Sequence, residues 1–454
     1  MKVKYRSCPP KKLSRNVQTV VKHVKVDVKV YNDKMASAAK RKNLSECLNI
    51  FNSVGQPTKH SYANLLNACV RCGDMQMAEH YYSEMLDKMG KCLVTSTTLL
   101  KGYFLHGMKD SAKALFYSIR VDHPGENTER ALDTFLRGCL RTGMIDEAIE
   151  AFGKAEFTSP ASVEMYHHIL YMTSVIHGKE HRYDPTASQA SHLFAAKSLI
   201  LNGRSQEALI ALDAADACAQ LSVRGDIKFE AHKSSENLRE AMMLRNAIAK
   251  NLSFTSFRDY LNKSFALVDS HADMVSKISC LDDFGSAKLE ICSGLGHWII
   301  EKCKEDPTTL WIASEIRFDR SFEILVTSFL AGISNILVLS GDVNRLVPFL
   351  PDESMRGIYI NFPEPPAWHE ASNDSKSDLL SREFISALPC RLAEGGSVRI
   401  LTDNGSYAAT VLTRMREIQE DASVRTFKSE GSSYFDRMFQ RGGKSTRYEL
   451  VITR

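Results

Sequence analysis

The chain has 454 residues, long for one domain, so two or three domains are expected. Its 44% apolar and 25% charged residues are ordinary for a folded globular protein, and no apolar run approaches the ~18 residues of a membrane span. The net charge of +4 conceals a basic start, with 14 Lys/Arg against 3 Asp/Glu in the first 60 residues, so the remainder is acidic.

That basic arm, residues 1–27, predicts a polyanionic partner, with RNA foremost; the alternative is a solvated or targeting tail. MKVKYRSCPPKKLSRNVQTVVKHVK carries no acid before Asp27 and no secretory apolar core. The 11 cysteines are scattered, odd in number and free of CxxC spacing, which predicts reduced intracellular thiols and no metal centre.

Residues 28–218 repeat. YANLLNACVRCGDMQMAEHYYSEM (from Tyr62) aligns with STTLLKGYFLHGMKDSAKALFYSI (from Ser96), with Gly73 on Gly107 and Ala78 on Ala112. LDTFLRGCLRTGMIDEAIEAF adds Gly143 and Ala148, and HLFAAKSLILNGRSQEALIAL adds Gly203 and Ala208. Upstream, YNDKMASAAKRKNLSECLNIF fits with Lys42 in the glycine slot, and a degenerate copy lies near YHHILYMTSVIHG. Each unit predicts two amphipathic helices around a left-handed turn, with a small residue five positions later where the helices meet. Single pairs cannot bury their apolar faces, so the units stack into a solenoid.

The Trp and Leu-Gly marks of tetratricopeptide arrays are missing. A Tyr-led first helix, a Gly turn, then Ala and Leu-Phe in the second helix resemble pentatricopeptide repeats. The resemblance implies RNA as ligand, a protein being the alternative, with the residue after the Tyr slot facing a base. Those positions hold Asn32, Ala63, Thr97 and Asp133, of which Asn32, Thr97 and Asp133 are the candidate RNA contacts. The family also suggests a mitochondrion or plastid, with cytoplasm or nucleus as alternatives. Residues 219–283 are polar, helix-spaced and free of motifs, and read as a helical connector or cap.

Strands and helices alternate from residue 284 to 454. AKLEIC, TTLWIASEI, NILVLSGD, MRGIYINF, SVRILTD and RYELVIT are the expected strands. HWIIEKCKED, DRSFEILVTSFLAG, SREFISALPCRLAEGG and SYAATVLTRMREIQ are the expected helices. This alternation predicts an α/β doubly wound parallel sheet with its ligand beyond the carboxyl ends of the strands. LEICSGLGHW then forms the first strand, a turn on Gly294 and Gly296, and a helix start. Glu315 ends the second strand, 25 residues after Glu290, where an acid meets ribose hydroxyls. Asp342 follows the third strand and Glu364 the fourth. A dinucleotide fingerprint needs a third glycine where Ile299 stands.

The set resembles an S-adenosylmethionine-dependent class I methyltransferase, and more closely the tRNA (guanine-N7) methyltransferase family. LEICSGLG, ASEIR, NILVLSGDVNRL, FPEP, GGSVRILTDNGSYA and SYFDRMFQRG stand in that family's order. Cys292 replaces its first turn glycine and Glu364 its aspartate, and the stretch after FPEP lacks its dense basic charge. The resemblance implies S-adenosylmethionine as cofactor, held by Glu290, Gly294, Gly296, Glu315, Arg317, Asp342 and Asn344. It implies tRNA or another RNA as substrate, with the variable-loop guanine as target. Glu364, then Asp403, would accept from guanine N1–H and its amino group as positive charge grows on the ring. The alternative is a non-catalytic pentatricopeptide RNA binder with a degenerate methyltransferase domain.

Overall fold

The computed structural model describes residues 28–123, 128–152, 160–178, 188–222, 228–250, 252–278, 287–363, 378–428 and 446–454. Helix pairs come first: α1 (Val28–Lys40) with α2 (Leu44–Ser53), α3 (Lys59–Cys72) with α4 (Met75–Met89), α5 (Leu93–Leu105) with α6 (Lys109–Asp122), and α7 (Glu129–Thr142) with α8 (Ile145–Phe152). The first helices α1, α3, α5 and α7 pack side by side. They are followed by α9 (Pro160–His177), α10 (Gln189–Leu201), α11 (Ser205–Ser222) and α12 (Lys228–Ile248).

The turn chemistry explains the register. Gly73, Gly107, Gly143 and Gly203 all have φ between 71° and 83°. Lys42, in the same slot, also sits left-handed at φ 55°. The small residues after these turns, Ala78, Ala112, Ala148 and Ala208, are fully buried, which lets the two helices of each pair close. Thr58 begins α3 with a capping box, its hydroxyl accepting from the Ser61 backbone while Ser61 answers the Thr58 N–H.

An eight-stranded sheet follows. Its strands are β1 (Phe265–Leu267), β2 (Ala287–Ile291), β3 (Leu310–Glu315), β4 (Ile336–Ser340), β5 (Met355–Asn361), β6 (Leu392–Thr402), β7 (Ser423–Lys428) and β8 (Thr446–Thr453). The spatial order is β1-β4-β3-β2-β5-β6-β8-β7. β1 to β6 pair in parallel, and strand order reverses between β2 and β5. α15 (His297–Glu305) links β2 to β3, α16 (Phe318–Ala331) links β3 to β4, and α19 (Gly405–Ile418) follows β6.

Four expectations are corrected. The sheet is mixed rather than wholly parallel, because β8 runs antiparallel to both β6 and β7. β7 was missed because SVRTFK is short and polar, as exposed edge strands tend to be. The helix expected over SREFISALPCRLAEGG shrinks to α18 (Arg382–Ser386). Pro389 cannot donate to a helix, and Leu392 already begins the 11-residue β6. Finally, residues 219–283 are not only helical. Between α13 (Phe254–Ser264) and α14 (His271–Ile278), the apolar Phe-Ala-Leu of β1 extends the sheet beside β4.

One apolar core joins solenoid and sheet. It runs from Leu100 through the later repeats to Ile324, Leu325 and Val338, with α16 packed against α7, α12 and α13. A second core under the other face includes Leu289, Ile358, Ile400 and Val411. Among the described residues, no helix is long and apolar enough to cross a membrane.

Candidate functional site

The carboxyl ends of β2 to β6 converge on one edge. β2 ends in a tight turn whose residues Cys292, Gly294 and Gly296 have φ of 64°, 60° and 77°. Glycine takes this conformation freely; Cys292 holds it against its own Cβ. The Gly294 N–H donates to Glu315 Oε2 at 2.8 Å, and the Arg317 N–H donates to Glu315 Oε1 at 3.0 Å. Burial pushes the Glu315 carboxyl upward in pKa, and these two backbone donors pull it back. Each carboxylate oxygen has a second lone-pair direction, so Glu315 retains capacity for hydroxyl donors.

Gly296 does other work. A Cβ there would lie 2.8 Å from Ile324 Cγ1, so glycine lets the turn lie close against α16. As N-cap of α15 it offers no side chain, leaving the first N–H groups of the helix to face the turn.

Glu290 and Asn361 meet at the topological switch. Asn361 Nδ2 donates to Glu290 Oε1 at 2.8 Å, whereas Glu290 Oε2 is buried without a partner. Burial pushes the Glu290 carboxyl up to about 8, opposed by the Asn361 and Ser293 hydrogen bonds. At neutral pH it is therefore mostly protonated, with a buried oxygen that calls for a polar ligand.

At the end of β4, Asp342 Oδ1 accepts from the Asn344 N–H and from Asn344 Nδ2, both at 2.9 Å. Asp342 caps α17 (Val343–Leu346), and Asn344 is exposed. Arg317 is committed to Asp319 in a two-point ion pair, Nε to Oδ1 at 3.0 Å. Its backbone N–H is the one that donates to Glu315. Asp403 lies half-buried just past β6, where Asn404 caps α19 by accepting from the Tyr407 N–H. The Tyr407 hydroxyl donates to the buried Asp378, which also pairs with Arg414. Tyr407 thus secures Asp378, at the start of the next described stretch. Glu364 lies outside the described residues, as do the arm 1–27 and the SYFDRMFQRG segment. Its neighbour before Pro363, Phe362, is left-handed at φ 52°.

These pieces suit an adenosine-bearing cofactor. Glu315 and Asp342 present carboxylates at the ends of neighbouring strands, and Glu290 offers an unpartnered oxygen. Asn361 had no role in the sequence reading; only its place in INFPEP, at the end of a strand beside Glu290, could have pointed to it. Among the described residues, no group of three His, Cys, Asp or Glu side chains gathers to hold a metal.

In the repeats, the candidate RNA contacts lie along the seams between first helices. Asn32 Oδ1 accepts from Ser61 Oγ at 2.8 Å, and the Asn32 carbonyl accepts from Asn64 Nδ2 at 3.0 Å. Thr97 is buried and returns its hydroxyl to the Leu93 carbonyl at 2.7 Å. Asp133 is half-buried, 3.9 Å from Arg137. Acidic side chains stand on both helices of the pairs, as with Glu79 and Glu84 in α4, Glu129 and Asp133 in α7, and Glu147 and Glu150 in α8.

Comparison with known proteins agrees with this two-part organisation. Residues 285–450 match the family described as a putative methyltransferase. Residues 60–89, 94–122 and 132–156 match PPR repeats. A tRNA (guanine-N(7)-)-methyltransferase of Chlamydia felis is 29% identical over 168 residues, covering 36% of this chain and 74% of that protein. The Rubrobacter xylanophilus protein of the same name is 23% identical over 193 residues, covering 40% and 84%. Among solved structures, an antibiotic-related methyltransferase aligns over 40% of this chain and 94% of its own, at 14% identity and a TM-score of 0.32. The chain thus joins pentatricopeptide repeats at its N-terminal side to a C-terminal domain of that methyltransferase family.

Proposed function

We propose that the protein is an RNA methyltransferase that uses S-adenosylmethionine and acts on guanine N7, with tRNA and its variable-loop guanine as the favoured target. The observation that carries this reading is the linked turn at the switch point, with Gly294 bonded to Glu315 and Glu290 held by Asn361 with one oxygen unpartnered. Its support is the guanine-N7 specificity named for relatives such as those of Chlamydia felis and Rubrobacter xylanophilus, together with the PPR repeats.

When bound, the cofactor supplies a sulfonium methyl as electrophile. Guanine N7 already carries a lone pair, so no proton has to leave it. The protein's task is then positioning and exclusion of water. Glu315 would hold the ribose hydroxyls, Asp342 the adenine amine, and Glu290 the amino-acid end. A carboxylate accepting from guanine N1–H stabilises the cation formed on methylation, the role assigned to Glu364 with Asp403 second.

Calorimetric titration with S-adenosylmethionine tests the cofactor half of this reading. Wild type should bind, and Glu315→Ala should bind at least tenfold more weakly, since each hydrogen bond to a charged group is worth roughly 1.5–3 kcal/mol. Absence of binding by wild type would refute it and leave a pentatricopeptide RNA binder with a retired methyltransferase domain.

A further inference from the structure

The start of α16 is tied to the cofactor turn. The Arg317 N–H donates to Glu315 Oε1 at 3.0 Å. The buried Ser321 hydroxyl lies within hydrogen-bond reach of the Glu315 and Arg317 carbonyls, at 3.1 and 2.9 Å. Buried Asp319 takes the Arg317 guanidinium at two points, which fixes the residue whose N–H meets Glu315. Further along the same helix, Ile324 is the side chain against which Gly296 of the turn lies. Displacing α16 would therefore disturb Glu315 and, through the Gly294 N–H that it accepts, the glycine turn itself.

The repeats hold this same part of the helix. α7 packs on α16, and a Cβ added to left-handed Gly143 would lie 3.0 Å from the ring of Phe318, the residue between Arg317 and Asp319. That ring has little room to retreat, because Phe265 and Phe322 stand against it with centroids 6.1 and 5.5 Å away. The Tyr171 hydroxyl of α9 donates to Glu323 Oε2 at 3.2 Å, and Lys197 of α10 pairs with the same carboxylate. Arg141 of α7 and His168 of α9 both have Asp319 among their charged neighbours, and Arg141 has Glu315 as well. Tyr171 and Lys197 are buried, so their bonds to Glu323 are made out of water, where polar contacts are strong and costly to break.

We infer that the repeats complete the cofactor site: Gly143, Tyr171 and Lys197 are positioning residues that clamp the start of α16 and so keep the Glu315 carboxylate and the Arg317 N–H set for the cofactor ribose. None of the three belongs to the cofactor turn; each acts through α16. Loosening the repeats from α16 then weakens cofactor binding, and by thermodynamic reciprocity the bound cofactor tightens the repeats on α16. The identity of the ligand rests on the methyltransferase reading above.

Calorimetric titration of the full chain with S-adenosylmethionine tests the clamp, with urea melts to establish that each variant is folded. Gly143→Ala presses a methyl on the Phe318 ring, and Lys197→Met removes the cation from Glu323. Each should weaken binding about three- to thirtyfold, the span over which residues remote from a ligand change a coupling. Gly143→Ala is the milder change and keeps the test readable if Lys197→Met unfolds. In a Glu315→Ala background the same substitutions should cost less than about twofold further, because the carboxylate that they position is gone. Glu46→Gln, which breaks the Arg41 ion pair three helix pairs before α7, should leave affinity within about twofold of wild type. Amide hydrogen exchange in α7, α9 and α10 should slow when S-adenosylmethionine saturates the protein. Unchanged affinity in the folded variants, equal losses with and without Glu315, or slowed exchange confined to the methyltransferase domain would overturn the clamp and leave the cofactor reading standing. A loss in Glu46→Gln as large as that in Gly143→Ala would also overturn it, since any loosening of the solenoid would then suffice. Wild type that binds no S-adenosylmethionine would instead remove the cofactor reading, and the clamp's role with it.

Discussion

Asn361, at the end of β5, donates to Glu290, near the end of β2, across the point where strand order reverses. Burial raises the Glu290 carboxyl from its ordinary 4.5 to about 8. The folded chain therefore keeps this proton to higher pH than the unfolded chain. Its contribution to stability is complete below about pH 4.5 and is lost as pH rises through about 8. Glu290→Gln keeps the shape and removes the titration. The difference in Tm between variant and wild type should widen in the variant's favour from about pH 5 to pH 8. Parallel curves would contradict the buried, protonated carboxyl.

Lys197 in α10 is 2% exposed and pairs with both Glu240 in α12 and Glu323 in α16. Tyr171 adds a hydrogen bond to Glu323 at 3.2 Å. One solenoid cation thus bridges two carboxylates, one of them in the methyltransferase domain. Lys197→Met should cost about 3–5 kcal/mol in urea denaturation, because it leaves like charges facing each other out of water. Adding Glu323→Gln should recover part of that loss. A variant within about 0.5 kcal/mol of wild type would mean that the triad is solvated.

Cys292 occupies a left-handed conformation at φ 64° where the family resemblance places glycine. The strain is on the order of 1–2 kcal/mol, while glycine adds unfolded-state entropy of about 0.5–1 kcal/mol. Cys292→Gly should therefore stabilise slightly, and Cys292→Val, with its branched Cβ, should destabilise. Paired thermal melts check the order of the two variants; Val at or above Gly would refute the strain.

Gly143 closes α7 at φ 79°, and a Cβ there would lie 3.0 Å from the Phe318 ring. Gly143→Val should strain the turn and push α16 away from the repeats. Limited proteolysis should then cut between the two halves faster than in wild type. An unchanged cleavage rate would show that this contact does not hold them together.

Much of this was legible in sequence, for physical reasons. The repeat glycines and alanines recur because each turn needs a left-handed residue and each helix crossing a small one, and even Lys42 obeyed the slot. That Glu290, Gly294 and Glu315 gather on one edge was readable because a parallel sheet collects its strand-end turns there. What escaped depended on tertiary contacts. β7 has no apolar run to announce it, and β1 is only three residues long. The close approach of Gly296 to Ile324 is a tertiary contact that the turn motif does not announce. The pairing of Arg317 with Asp319 could not be read from the cofactor motif. The docking of α7 on α16 is likewise encoded by no local pattern.

The most direct measurement incubates the full chain with labelled S-adenosylmethionine and unmodified tRNA, then digests the RNA and identifies nucleosides by mass spectrometry. Wild type and Glu364→Ala run side by side. The account predicts 7-methylguanosine from wild type and its loss, or a fall of at least tenfold, in the variant. Wild type that binds the cofactor yet forms no 7-methylguanosine would contradict guanine N7 as the acceptor.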